Sequence, residues 1–313
     1  MAAVAKLSEL VQYRETIKDC GMDILLLGYS EVEEIRLLME NGLLNEERVI
    51  FSIYNLRQFH DLDKLGRALN KRFRVHIRLD DWNTGMGLGY EEFLNAENEL
   101  FAAEGVCICG LYDHLISSYS ENHEEIHREL EQFSQMIKQI RPEHRSVLTV
   151  HVLNSPLIFL FPEYAFDMVR VGSAMYGLPC SDSGRLRPIL RISARVFDVR
   201  TIDASTPLSY RPQESQGKRK VARVMLGSWD CPILLTLPDV QILIRGRLYP
   251  LAGEPCMDSI CIDISGSEDI VPGDEAVILG ERGVTLEKIM KRHYVPYGEH
   301  LCFTAGRLEK VYV

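Results

Sequence analysis

The sequence holds eight cysteines but no Cys-x-x-Cys pair, which disfavours a tetrahedral zinc site. Several lie inside apolar runs (Cys107, Cys109, Cys256, Cys261). That is the placement of reduced core residues in a cytosolic protein, not of a disulfide framework. No apolar run reaches the length of a membrane span. The first residues do not join a basic segment to an apolar one, so no signal peptide is read. Positive charge is in deficit: 35 Lys and Arg against 45 Asp and Glu, a net charge of −10. A nucleic-acid-binding body would carry a basic patch instead. Repeats and low-complexity segments are also missing. What remains is a cytoplasmic globular chain of 313 residues, longer than one average domain.

What is present is an alternation of short apolar runs and helical patterns. Ala2–Ala5, Asp23–Gly28, Arg48–Ile53, Arg74–Asp80, Val106–Leu111, Ser146–Asn154 and Phe166–Ser173 read as strands. Between them Leu7–Lys18, Glu31–Met39, Leu56–Asn70, Glu91–Glu104 and His123–Ile140 carry helical spacing. Such alternation predicts an α/β fold with a parallel sheet, and a (β/α) TIM-type barrel is its closed form. Seven of the eight units are present. From Arg185 the pattern changes to short strands between Gly, Pro and Asp turns, ending in a helix over Thr285–Lys291. This predicts a mostly antiparallel β domain, a small barrel. The expected domains are 1–184 and 185–313.

The polar residues that could carry chemistry fall at strand ends, the active face of such a barrel. In Val169–Gly177 an apolar run opens at Gly172-Ser173, where free backbone N–H groups suit an anion such as phosphate. Arg170 inside that run needs a partner, because an unpaired buried charge is costly. Asn154-Ser155 ends another strand, and Ser155 either helps hold phosphate or makes a local turn bond. His114 ends the strand of Val106–Leu111. Tyr210, between Pro207 and Pro212, is a turn tyrosine or a general acid–base with a lowered pKa. Cys256-Met257-Asp258 precedes a strand and by itself reads as core. Gly85–Gly89 is glycine-rich without a nucleotide fingerprint. No metal site is read, since His and Asp do not cluster at strand ends.

In order and spacing these residues resemble the alanine racemase family, the fold-type III pyridoxal phosphate enzymes, from Met1 to Val313. The resemblance is carried by Ile24–Tyr29, His76–Asp80 with Thr84–Gly87, Gly110–His114, Asn154-Ser155, Val169–Gly177, Ser209-Tyr210, Cys256–Asp258 and Pro296-Tyr297. It implies pyridoxal 5'-phosphate as cofactor and interconversion of L- and D-alanine, supplying D-alanine to the cell wall. It implies a homodimer whose active sites are shared between a barrel and the partner's β domain. Arg170 would meet the pyridine nitrogen with His114 nearby. Ser155, Gly172, Ser173 and Tyr297 would hold the phosphate. Tyr210 would be one of two bases, and the Met257 N–H would touch the substrate carboxylate.

The chain also departs from the family. The motif carrying the family's Schiff-base lysine, at the end of its first barrel strand, is not found. Lys6 aligns instead with the start of the second unit's helix and is expected at the surface. The missing lysine motif and the missing eighth unit coincide, so an N-terminally truncated barrel is expected. The arginine after Met-Gly is absent, Arg78 stands where many members carry a modified lysine, Ser228 replaces a tyrosine and Glu254 an arginine. Two alternatives therefore accompany the racemase expectation: a non-catalytic relative or remnant, and a racemase of another amino acid such as serine. For the chain as it stands, borohydride treatment with added pyridoxal phosphate is expected to leave no covalently attached cofactor; a reduced, protein-bound adduct found by mass spectrometry contradicts this.

Overall fold

A computed structural model describes residues 1–44, 46–80, 86–177, 186–208, 217–281, 283–285, 288–289 and 308–312. The chain divides into two compact units, Met1–Arg170 and Val171–Val313. The first is a parallel sheet of six strands in chain order: β1 (Ala2–Val4), β2 (Ile24–Leu26), β3 (Val49–Ile53), β4 (Phe73–Arg78), β5 (Val106–Tyr112) and β6 (Thr149–His151). Helices α1 (Leu7–Gln12), α2 (Arg14–Cys20), α3 (Val32–Glu40), α4 (Leu56–Leu69), α5 (Tyr90–Phe101) and α6 (His123–Ile137) alternate with the strands.

Two details differ from the sequence pattern. The helix expected over Leu7–Lys18 breaks at Tyr13, whose backbone leaves the helical region between α1 and α2. Gly21 ends α2 in the left-handed conformation, as its position suggested. The strand expected over Phe166–Ser173 is reduced to one parallel bridge, Asn154–Arg170. Phe166 takes a positive φ of 48°, which breaks the extended run. The segment is instead tied down by single bonds, Asp167 N–H to the Val150 carbonyl at 3.1 Å and Arg170 N–H to that of Leu153 at 2.9 Å.

Strand alternation separates two environments. In β4 the residues Phe73, Val75 and Ile77 are fully buried apolar groups and pack in the core of this unit with Phe59 and Leu62 of α4 and Phe93 of α5. Their neighbours Arg74, His76 and Arg78 project from the other face of the pleat. Arg74 meets Asp23 at 2.8 Å, and this bond holds the Asp23 carboxyl below its usual pKa. At the periphery Glu97 of α5 is buried and accepts from the Arg141 N–H at 3.0 Å, with His144 Nδ1 at 2.7 Å. The His144 ring also stacks on Phe101 with centroids 3.9 Å apart.

Among its described residues the second unit holds six antiparallel strands: β7 (Ile192–Asp203), β8 (Lys218–Val224), β9 (Gln241–Ile244), β10 (Arg247–Pro250), β11 (Ile260–Asp263) and β12 (Glu275–Leu279), in the order β10-β9-β12-β7-β8-β11. The two outer strands are joined by the bridge Leu251–Ile262 and by the Ala252 N–H donating to the Cys261 carbonyl at 2.8 Å. The sheet thus closes on itself around Val196, Ala222, Val224, Ile242, Ile262 and Ala276. β10 and a short helix, Pro232–Thr236, were not legible as elements. Most of the helix expected over Thr285–Lys291 lies outside the described residues. Replacing Glu97 by Ala strands two donors under α5, and is expected to lower stability by about 2 kcal/mol; an unchanged urea midpoint for the parallel-sheet unit would contradict this.

Candidate active site

The site is built around Arg170. The side chain keeps some exposed surface, but its guanidinium is enclosed by acceptors. One terminal nitrogen donates to His151 Nδ1 at 2.8 Å and to the His151 carbonyl at 3.1 Å. The other donates to the carbonyls of Asp113 at 2.6 Å and Val152 at 3.0 Å. A guanidinium has five N–H donors, so Nε–H is the one left outside this set. Loss of solvent lowers the Arg170 pKa to about 10, and the group remains a cation at neutral pH.

Behind Arg170 lies a line of buried polar rings. His76 Nδ1 is 3.0 Å from His151 Nε2. The tautomers follow from the donors. Arg170 can only donate, so His151 Nδ1 accepts and its proton sits on Nε2. That proton is donated to His76 Nδ1, which leaves the His76 proton on Nε2. Burial drives both imidazoles toward the neutral form, His76 down to about 4 and His151 to about 2, with the Arg170 charge adding to each. Tyr112 stacks flat on His151, centroids 5.0 Å apart, and its ring also lies 5.3 Å below the Arg170 guanidinium. Its hydroxyl donates to Ser52 Oγ at 2.9 Å.

Room for the His76 ring comes from the backbone. The β4–β5 register slips so that Cys109 is passed over and Gly110 stands opposite His76. A Cβ at Gly110 would lie 2.4 Å from His76 Nε2.

Around this line the strand ends carry further polar groups. Arg78 donates to the Tyr54 hydroxyl at 3.1 Å and lies 5.1 Å from that ring. Its Nε is buried with no hydrogen-bond partner among the described residues, and Asn154 Oδ1 is in the same state. Asp113 accepts from the Tyr90 hydroxyl at 2.7 Å and from the His114 N–H at 2.6 Å. Burial nevertheless raises its carboxyl to about 6. His114 itself is exposed. Crowding protein atoms still pull its pKa down, helped by Arg170 and Arg78. Ser155 is buried at the end of the next segment.

The remaining sequence candidates lie in the second unit. Ser173 is buried and starts a short 3-10 turn, Ser173–Tyr176, capped by Gly172. A Cβ at Gly172 would meet nothing within 4 Å. Met257 is exposed, and its carbonyl accepts from the Trp229 N–H at 3.0 Å. Gly227 lets that backbone approach, since a Cβ there would lie 2.2 Å from the Met257 oxygen. Tyr210 and Tyr297 lie outside the described residues. Lys6 is exposed at the start of α1, as expected. The structure therefore brings Arg170 close to Asp113 and the His114 backbone. It also adds His76, His151 and Tyr112, which the sequence reading had not singled out as site residues. The signal for the histidines was a polar ring inside an otherwise apolar strand, in Val75-His76-Ile77 and Val150-His151-Val152.

Two family models cover nearly the whole chain: the alanine racemase N-terminal domain matches residues 1–179 and the C-terminal domain residues 189–312. The chain belongs to the alanine racemase family. This is a family of pyridoxal phosphate-dependent isomerases. Among its relatives, alanine racemase 2 of Caldanaerobacter subterraneus subsp. tengcongensis is 27% identical over 99% of this chain and 80% of its own length. The alanine racemase structure from Clostridium difficile 630 superposes with a TM-score of 0.87 at 26% identity, over 99% of this chain and 81% of that one. The alanine racemase of Bartonella henselae, solved with covalently bound pyridoxal phosphate, is 24% identical with a TM-score of 0.83, over 99% of this chain and 84% of that one, and shares the fold.

The buried histidines make a pH prediction. Both imidazoles bind a proton more readily in the unfolded chain, where the ordinary value is 6.5. Stability is therefore lost as pH falls from about 6.5 toward 4, and His151 extends the loss toward 2. Asp113 works the other way between 3.8 and about 6, and offsets one of the two rings. Melting temperature is expected to rise from pH 4 to 6.5, and His76→Gln is expected to flatten the rise. A wild-type melting curve independent of pH over that range contradicts the assignment.

Proposed function

We propose that this chain is an alanine racemase-type enzyme that binds pyridoxal 5'-phosphate at the strand ends around Arg170. The observation that carries the reading is the enclosed Arg170 guanidinium, with one donor to spare, in a chain matching both family domains in order. The residues present fit such a group. Two buried polar atoms, Arg78 Nε and Asn154 Oδ1, stand at the same strand ends without partners among the described residues.

Bound there, the cofactor would supply the electron sink that acidifies the Cα–H bond of an amino acid. The chain's own groups would do the rest. Arg170 would direct a donor at the ring nitrogen, and a guanidinium that holds its protons keeps that nitrogen unprotonated. His114 would sit beside it. Ser155, Gly172, Ser173 and Tyr297 would hold the phosphate. The Met257 N–H would orient the substrate carboxylate. Tyr210 would take or return the proton at Cα as one of two bases, the other being a lysine in the family. In this reading the protein is a cytoplasmic homodimer, each site shared with the partner's β domain, and it serves D-alanine supply. In this reading the barrel domain would run to about residue 184, past the division of the compact units after Arg170.

Ser228 and Glu254, standing where the family has a tyrosine and an arginine, favour a second reading, a non-catalytic relative. Incubation with L-alanine or L-serine and pyridoxal phosphate, followed by chiral chromatography, separates the two. The family's lysine motif, which serves the second face of Cα, is not found in this chain, so slow or absent turnover is expected; any D-alanine is expected to form faster than D-serine, and Tyr210→Phe to lower that rate by about a hundredfold or more. Cofactor binding without racemisation supports the second reading. Faster D-serine formation overturns the alanine assignment.

A further inference from the structure

The four placed donors of Arg170 end on three backbone carbonyls and one imidazole. The carbonyls are acceptors whatever the conditions. The imidazole is an acceptor only in one tautomer, with its proton on Nε2. That tautomer needs an acceptor for the Nε2 proton, since an unpaired buried donor is costly. His76 Nδ1, at 3.0 Å, is that acceptor. His76 is fully buried, and its place is made by a register slip and by Gly110. A register slip and a glycine at one ring indicate that the fold accommodates a histidine at this position.

We propose that His76 is a positioning residue of the candidate site. Through His151 it fixes the direction of the Arg170 guanidinium, and with it the group that meets the ring nitrogen of the cofactor. This inference rests on the proposed cofactor reading. Without His76 the His151 Nε2 proton has no acceptor, and the tautomer that turns an N–H against Arg170 becomes competitive. The guanidinium then loses one of its four anchors.

The test uses the full chain labelled with nitrogen-15 in histidine. Imidazole nitrogen shifts report the tautomers directly. We expect both His76 and His151 to carry the proton on Nε2 in the wild type. Binding of pyridoxal phosphate is then compared with that of its carbocyclic isostere, which has C–H in place of the ring nitrogen. His76→Leu is expected to change the His151 ring shifts and to weaken pyridoxal phosphate by about tenfold, the size of one charge-assisted hydrogen bond. Affinity for the isostere should not change. His76→Gln offers an amide oxygen to the same proton and should restore both readings. Gly110→Ala, which crowds the ring, should act as His76→Leu does.

Equal losses for the two ligands would reduce His76 to a packing residue and overturn the inference alone. Unchanged His151 shifts in His76→Leu would do the same. A wild type that binds neither ligand would overturn the cofactor reading and this inference with it, even if the tautomers are as assigned. Should His76→Leu not fold, the Gly110→Ala and His76→Gln pair decides the same question.

Discussion

A guanidinium taken out of water and held by neutral acceptors is the constraint on which the first unit depends. Among the described residues no carboxylate meets the Arg170 donors; three carbonyl oxygens and an imidazole take that place. Burying a charge without a counter-charge costs stability, and the cost is bearable only if nearly every donor is met. The Asp113 carboxyl, which feels the Arg170 charge, offsets part of the cation's field at the strand ends. A field of that kind is useful to a site that must hold an electron-rich ring or an anion, and wasteful anywhere else.

The surroundings obey the same requirement. Tyr112 covers the His151 ring and the guanidinium at once, and Ser52 receives its hydroxyl. The unit therefore combines two kinds of packing. Its outward strand residues, Val75 and Ile77 among them, lie in an apolar layer with the helices. The opposite face of the same strands carries a polar stack from the Asp23–Arg74 pair to His76 and His151. In the apolar layer shape decides the fit. In the polar stack each proton must be assigned, so one substitution there is felt at its neighbours.

Much of this fold could be read from the chain, because it depends on local periodicity. The apolar runs at Asp23–Gly28, Arg48–Ile53 and Arg74–Asp80 predicted parallel strands, where β2, β3 and β4 lie, and the glycine and proline turns after Arg185 predicted the antiparallel unit. Phe166–Ser173 misled, since an apolar run does not reveal that Phe166 adopts a positive φ. The strand β10 was missed because Arg247–Pro250 shows no apolar run. In the site, Arg170 was flagged as a charge needing a partner, yet its partners are distant in sequence. Asp113 lies 57 residues away and His151 19, and no local pattern encodes that meeting. His76 was visible only as part of a family motif. Its bond to His151 across 75 residues is a product of the folded sheet.

The antiparallel unit illustrates a different economy. Among the described residues its strands are joined by ladders of four or more residue pairs, except at β9–β12, which has two, and at β10–β11, where one bridge and the Ala252–Cys261 bond make the closure. A ring whose thinnest join is a single bridge has a predetermined place to open. Local unfolding would begin there before it reached the long β7–β8 ladder. Opening would expose two strand edges at once, β10 and β11, each with unpaired backbone groups able to recruit a strand from another chain. Among the described residues, the closure that keeps these two edges together rests on very few hydrogen bonds.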